Sequence, residues 1–149
     1  AKTQAQESTT KIDLVILFNS IKNQFNSNKL IISSNTSVEF EGRPIALKRS
    51  FENIIQNGLT YGHQVFVDIQ KANTRTLITI EDDGPGIPED QYKNVFKPFF
   101  RLDKSRSLNQ SGVGLGLAIV EDVINSHGGN IQLGKSKHNG LQVKISLPF

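Results

Sequence analysis

The sequence predicts a two-layer α/β (α+β) sandwich, a mixed sheet covered on one face by helices. Three observations predict it. Apolar residues recur at helical spacing in three separate stretches; between and after these stretches lie short segments with strand character; and two such segments are joined by a polar turn, as antiparallel neighbours are. A chain of 149 residues makes one domain with room for a proper core.

Residues 1–10 are polar and read as a tail or the end of a linker, which leaves 11–149 as the domain. Leu14, Ile16, Leu17, Phe18, Ile21 and Phe25 fit a short amphipathic helix. Lys29–Ser33 and Ser37–Phe40 read as short strands on either side of the turn-forming Ser34-Asn35-Thr36. Pro44 can open a helix that runs to about Tyr61 and stops at Gly62, with Leu47, Phe51, Ile54, Ile55 and Leu59 as its apolar stripe. Val65, Val67 and Ile69 alternate with polar positions, Lys71–Arg75 is a polar turn, and Leu77–Asp82 is the next strand. Gly84–Gly116 holds most of the loop signals, with short helical stretches around Glu89–Phe96. Leu115–His127 is a third helix ended by Gly128-Gly129, and Ile131–Leu133 and Leu141–Leu147 close the chain as strands.

Composition removes several function classes. There is no cysteine, which excludes disulfides, thiolate metal sites and cysteine nucleophiles. No apolar run approaches the ~18–20 residues of a membrane span, and Ala1–Thr10 lacks the apolar centre of a signal peptide, so no membrane contact is expected of this domain. The formal charge of +3 brings nucleic acid into consideration, but the basic residues are spread along the chain without interleaved aromatics. Their one concentration, Lys93, Lys97, Arg101, Lys104 and Arg106, is either a solvated face or a phosphate contact.

Three features carry chemistry. Arg49, Asn53, Asn57 and Thr60 share one strip of the second helix. Asparagine is a mediocre helix former; its amide oxygen is a hard ligand suited to Mg²⁺ and its NH₂ can donate to phosphate, although both asparagines would also suit a solvated face. Asp82 ends its strand on the side of Ile78 and Ile80, where a carboxylate costs several kcal/mol unless it meets a donor. The slender Asp83-Gly84-Pro85-Gly86-Ile87 turn leaves space there that an exocyclic amine such as that of adenine would fill; the plainer alternative is an aspartate capping its own turn. Ser111-Gly112-Val113-Gly114-Leu115-Gly116-Leu117 leads into a helix, an arrangement that lets backbone N–H groups approach an anion; the plainer alternative is a flexible loop whose glycines serve packing. It is neither a Walker loop nor a good dinucleotide fingerprint.

In order, Asn53-Ile-Ile-Gln-Asn57, Asp82-Asp-Gly84-Pro-Gly86-Ile87, Phe96-Lys-Pro98-Phe99-Phe100-Arg101 and Gly112-Val-Gly114-Leu-Gly116-Leu117 resemble the N, G1, F and G2 boxes of the sensor histidine kinase ATPase domain. The resemblance runs from about Lys11 to the end and is closest to the osmosensor class typified by EnvZ. It implies the Bergerat-type ATP-binding sandwich shared by histidine kinases, gyrase, chaperones and mismatch-repair ATPases. It further implies that Asn57 coordinates Mg²⁺ with Asn53 in the phosphate shell, and that Asp82 accepts from the adenine amino group in a pocket shaped by Gly84, Gly86 and Ile87 and lined by Tyr61. Gly112, Gly114 and Gly116, with Leu115 and Leu117, would bring backbone donors to the phosphates. Phe96, Phe99 and Phe100 would pin the base of an ATP lid over Arg101–Ser111, and Arg101 would reach phosphate oxygens.

The implied reaction moves the γ-phosphoryl group of ATP to a histidine on a separate dimerisation and phosphotransfer domain, with a response regulator downstream and an inner-membrane parent holding this domain in the cytoplasm. His63, His127 and His138 lack an acceptor-like setting, and His127 reads as a helix C-terminal cap. Three positions depart from the family pattern: Arg49 stands where many members have Glu, Thr60 where many have Lys or Arg, and Gly58 where alanine is usual. Nucleotide binding is expected to survive them, with slower turnover. The alternatives are a serine kinase of the same superfamily and a non-catalytic nucleotide-sensing module.

Overall fold

The structure, a computed structural model, describes residues 7–25, 28–33, 37–97 and 116–148. Its elements are β1 (Thr10–Asp13), α1 (Leu14–Phe25), β2 (Leu30–Ile32), β3 (Glu39–Gly42), α2 (Pro44–Tyr61), β4 (Val65–Lys71), β5 (Arg75–Asp82), two 3₁₀ turns at Glu89–Gln91 and Asn94–Phe96, α3 (Leu117–Ser126), β6 (Asn130–Lys135) and β7 (Leu141–Pro148). A five-stranded sheet runs in the order β2-β4-β5-β7-β6, and β1 pairs with β3 in a two-stranded sheet of its own. The large sheet is mixed: β2 lies parallel to β4 and every other pair is antiparallel. This is the predicted two-layer arrangement.

Strand alternation explains which face the helices cover. Val65, Val67, Ile69, Ile78, Ile80, Val143, Ile145 and Leu147 are buried, while the residues between them face the other way. Against them pack Leu14, Phe18 and Ile21 of α1, Leu47, Phe51, Ile54 and Ile55 of α2, and Leu117, Val120, Val123 and Ile124 of α3. Phe18 and Phe51 stack with ring centroids 4.6 Å apart and tie α1 to α2.

Two predicted strands found other partners. Lys29–Ser33 and Ser37–Phe40 flank a turn-forming stretch, yet β2 pairs with β4 from Leu30 opposite Val65, whereas β3, shifted to Glu39–Gly42, pairs with β1. β1 is not legible in the sequence, because four residues with a single buried side chain, Ile12, carry no visible alternation. The small sheet starts at Thr10, which is paired with Gly42. Asp13 then caps α1, its Oδ1 accepting from the N–H groups of Val15 and Ile16 at 2.9 and 3.2 Å. The Ser37 hydroxyl on its other oxygen, with those amides, holds the carboxyl below the ordinary aspartate range.

The helix that carries both asparagines is fastened at its start. Pro44 fills the first turn as expected, but the cap comes from Glu7, in the stretch read as a linker: its carboxylate accepts from Ile45 N–H at 2.7 Å and Ala46 N–H at 3.1 Å. Just before the helix, the Arg43 N–H donates to Nε2 of His127 at 3.0 Å. Nδ1 therefore carries the proton and donates to the Val123 carbonyl at 2.7 Å, which caps the end of α3 as the sequence suggested.

Burial pushes the His127 pKa below the ordinary histidine value, and the neighbouring Arg43 charge adds to this against the Val123 carbonyl and Glu7. Between that lowered value and about 6.5 the unfolded chain binds the extra proton and the folded one does not, so stability falls as pH drops through that window. Thermal unfolding followed from pH 7.5 to 5.5 is expected to show this decline, and His127→Phe to flatten it. The depressed Asp13 and Asp83 carboxyls act only at lower pH, near and below about 4.

Candidate functional site

Two segments that are distant along the chain meet at the end of β5. The α2 helix brings Asn57, Gly58 and Tyr61 alongside Asp82, and the turn after β5 closes the opposite side with Pro85, Gly86 and Ile87. Ile54, Val65, Ile80, Leu117 and Val143 complete a mostly apolar cavity in which Asn57 and Asp82 are polar groups. Among the predicted site residues, Asn57, Tyr61, Asp82, Gly86, Ile87 and Leu117 thus line one space. A flat, mostly apolar ligand bearing a hydrogen-bond donor at one edge suits such walls.

Asp82 is half-buried and its environment is divided. Its Oδ1 accepts from Gly84 N–H at 2.9 Å and Leu141 N–H at 3.2 Å. Burial nevertheless wins, and with a smaller push from the Asp83 charge it raises the carboxyl above the ordinary aspartate range. Among the described residues both hydrogen bonds to this carboxylate fall on Oδ1, which leaves Oδ2 for a donor arriving in the cavity. Gly84 does not line the cavity; it acts through this N–H, with its backbone packed against the Tyr61 carbonyl.

Asn53, one turn before Asn57, opens into a neighbouring recess between α2 and α3, bordered by Arg49, Ser50, Gly116, Ile119 and Asp122. Gly116, which precedes α3, has φ +66°. A Cβ there would sit 2.9 Å from Asn53 Nδ2, so glycine both suits the left-handed backbone and leaves room for the asparagine. Arg49 and Asn53 therefore share one opening, as their spacing predicted, while the exposed Thr60 takes a hydrogen bond from Gln56 at 3.1 Å. The absence of alanine at position 58 has a local cause: a Cβ on Gly58 would come within 2.6 Å of Val65 Cγ2 and 3.2 Å of Asp82 Cβ. Glycine lets the helix lie close on the sheet beside the carboxylate. Phe96 is partly buried against the core, next to the buried Val95. Phe99, Phe100, Arg101, Lys104, Arg106, Gly112, Gly114 and Leu115 lie outside the described residues.

The turn between β6 and β7 contributes to the site without any signal in the sequence that points there. Leu141 supplies an N–H to Asp82 and lines the cavity. Gly140 packs on Asp82 so closely that a Cβ would lie 2.7 Å from its carbonyl carbon. Asn139-Gly140 ahead of a strand is a hairpin signal, but nothing local says which residue the turn will touch. Asp83 was likewise read only as part of a tight turn. Its Oδ1 accepts from His63 and Gln64 N–H at 2.6 and 2.9 Å, and these bonds hold its carboxyl below the ordinary range.

Among the described residues no group of three or more His, Cys, Asp or Glu side chains is placed to hold a metal ion. A cation here would have the Asn57 amide and would draw its other ligands from a bound anion and water, a set that matches Mg²⁺ beside phosphate oxygens. No helix of the described residues is long and apolar enough to cross a membrane.

Comparison with known proteins agrees with this geometry. A family model described as histidine kinase-, DNA gyrase B-, and HSP90-like ATPase matches residues 42–149. The chain is 31% identical over 147 residues to the sensor histidine kinase GtrS of Pseudomonas aeruginosa, covering 98% of this chain and 30% of that protein. It is 40% identical over 109 residues to the sensor histidine kinase CpxA of Escherichia coli, covering 72% of this chain and 24% of that protein. It therefore spans less than a third of the length of these curated relatives. Among solved structures, the histidine kinase domain of the E. coli osmosensor EnvZ superposes with a TM-score of 0.71 at 32% identity, covering 93% of this chain and 87% of that one. The mycobacterial sensor histidine kinase MprB shares the fold, with a TM-score of 0.78 at 24% identity over 93% of this chain and 96% of that one.

Proposed function

The chain belongs to the histidine kinase-, DNA gyrase B- and HSP90-like ATPase family as an ATP-binding catalytic domain of the sensor kinase kind, and on that premise we propose that it donates the γ-phosphoryl group of ATP to a histidine on a separate dimerisation and phosphotransfer domain. The observation that carries this is the meeting of Asn57 and Asp82 in one cavity, which suits the two ends of a single nucleotide. Asp82 Oδ2 accepts from the adenine amino group, and Ile54, Ile80, Leu117 and Val143 cover the faces of the base. Asn57 offers its amide oxygen to Mg²⁺, and Asn53 lies in the phosphate shell. When bound, the cation neutralises charge on the phosphate oxygens.

The acceptor imidazole supplies its own nucleophilic nitrogen. As the N–P bond forms, the bond from the γ-phosphorus to its bridging oxygen breaks, ADP leaves, and the imidazole proton passes to solvent. The domain thus needs no strong base, and its task is positioning and charge neutralisation. We place it on the cytoplasmic side of an inner-membrane parent, with a response regulator receiving the phosphoryl group.

Asn57→Ala is the direct test. The part of ATP affinity that depends on Mg²⁺ is expected to fall about tenfold, with affinity in chelator little changed. Label from [γ-³²P]ATP should appear on the cognate dimerisation domain as acid-labile phosphohistidine. An acid-stable product would point to serine transfer, and Mg²⁺-independent binding would remove Asn57 from the metal site.

A further inference from the structure

We propose that Glu81 and Asp83 are positioning residues of the nucleotide site, each holding one of its backbone walls in place around Asp82; the proposal rests on the ATP-binding reading above. The β5 strand runs out in three consecutive carboxylates, Glu81, Asp82 and Asp83. Alternation sends Asp82 towards the cavity and Glu81 onto the helix-free face of the sheet, while Asp83 lies just past the strand end. Between them they accept backbone N–H groups from two other parts of the chain. Glu81 Oε1 takes Lys137 N–H at 3.1 Å, near the start of the β6–β7 turn. Asp82 Oδ1 takes Leu141 N–H at 3.2 Å, at its end. Asp83 Oδ1 takes His63 and Gln64 N–H at 2.6 and 2.9 Å, in the link that follows Tyr61.

The placement of Glu81 calls for a reason. It is only 9% exposed, opposite Phe66 on one side and Gln142 on the other. A carboxylate in that position is costly unless it is bonded, and a residue kept only for sheet packing would be apolar. The turn it holds is otherwise closed on itself, by Ser136 N–H to the Gly140 carbonyl at 2.8 Å and His138 N–H to Ser136 Oγ at 2.9 Å. His138 also stacks on Phe66 with ring centroids 3.8 Å apart. Held at both ends by adjacent carboxylates, the turn fixes Gly140 and Leu141, and they in turn fix Oδ1 of Asp82 and so the direction of Oδ2. Asp83 does the same for the opposite wall, the end of α2 that carries Asn57 and Tyr61. Asp83 does not line the cavity; Glu81 borders it, but its carboxylate is turned to the Lys137 N–H. Small losses of register at such supports are felt at the recognition atom.

The test compares MgATP and MgGTP affinities of the whole chain for the parent and for Glu81→Ala, Glu81→Gln, Asp83→Ala, Asp83→Asn and Asp82→Ala. The Glu81 and Asp83 alanine variants are expected to weaken MgATP about three- to tenfold and to shrink the ATP-over-GTP preference by a similar factor. The Gln and Asn variants keep an acceptor oxygen and should recover to within about twofold. Amide exchange should quicken at Lys137 and Leu141 for Glu81→Ala, and at His63 and Gln64 for Asp83→Ala, each in its own wall. Should Glu81→Ala not fold, Glu81→Leu removes the hydrogen bond without leaving a hole and is held to the same criterion. A lowered thermal midpoint with an unchanged ATP-to-GTP ratio would reduce both residues to structural supports and overturn the proposal. If Asp82→Ala loses ATP while the flanking variants do not, the positioning role fails alone. If the parent shows no preference for ATP, the nucleotide reading fails with it.

Discussion

Gly140→Ala is expected to remove measurable ATP binding and to lower the thermal midpoint by roughly 10 °C, an overpacking cost of about 3 kcal/mol. The added Cβ would lie well inside contact distance of the Asp82 Oδ1 and backbone oxygen, and 2.7 Å from the Asp82 carbonyl carbon. Backbone meets backbone there, so no side chain can rotate away to relieve it. The turn must lift, and lifting it withdraws the Leu141 N–H from the carboxylate. Gly134→Ala is the matched control: its nearest neighbour is the end of the flexible Gln142 side chain at 3.2 Å, and it should stay near the parent in both measurements. Circular dichroism melts with equilibrium binding decide the matter, and parental values for Gly140→Ala would mean that this turn is free to move away from Asp82.

Asp82→Ala should weaken ATP binding by roughly 10–100-fold, the worth of a hydrogen bond to a charged group in a dry setting, and bring ATP and GTP affinities close together. The loss has two sources. The nucleotide loses its acceptor, and the N–H groups of Gly84 and Leu141 lose theirs within a partly buried wall. Asp82→Asn keeps one accepting oxygen but replaces the other with a donor, so it should fall between the two. Titration calorimetry with both nucleotides gives the answer. An alanine variant that retains parental selectivity would separate this carboxylate from base recognition.

Local rules read much of this fold correctly. Pro44 and Gly62 bound α2, and the alternation of Val65, Val67 and Ile69 marks β4, because first-turn proline, terminal glycine and period-two burial act within a few residues. The paired asparagines and Asp82 were legible for the same reason, since helical spacing and strand alternation fix the side on which each residue lies. What escaped depends on contacts between distant segments. Glu7 reaches the start of α2, Leu141 reaches Asp82, and Glu81 reaches Lys137 across 56 positions. Short elements escaped too: β1 buries only Ile12, and β2 and β3, near neighbours in sequence, join different sheets. Gly58 reads as a mere departure from the usual alanine until the space beside Val65 is seen.

The α2 helix is about 27 Å long at 1.5 Å per residue, and acids from outside it grip both approaches, Glu7 at the front and Asp83 just beyond the back. It behaves as a beam supported at each end, with the amides of Asn53 and Asn57 mounted along its span. Such a beam cannot slide past Asp82 while both supports hold. Asn57 stands near the back support and Asn53 at mid-span, so a tug arriving from the chain ahead of Glu7 would reach Asn53 before Asn57, and Asp83 would still hold Asn57 beside Asp82.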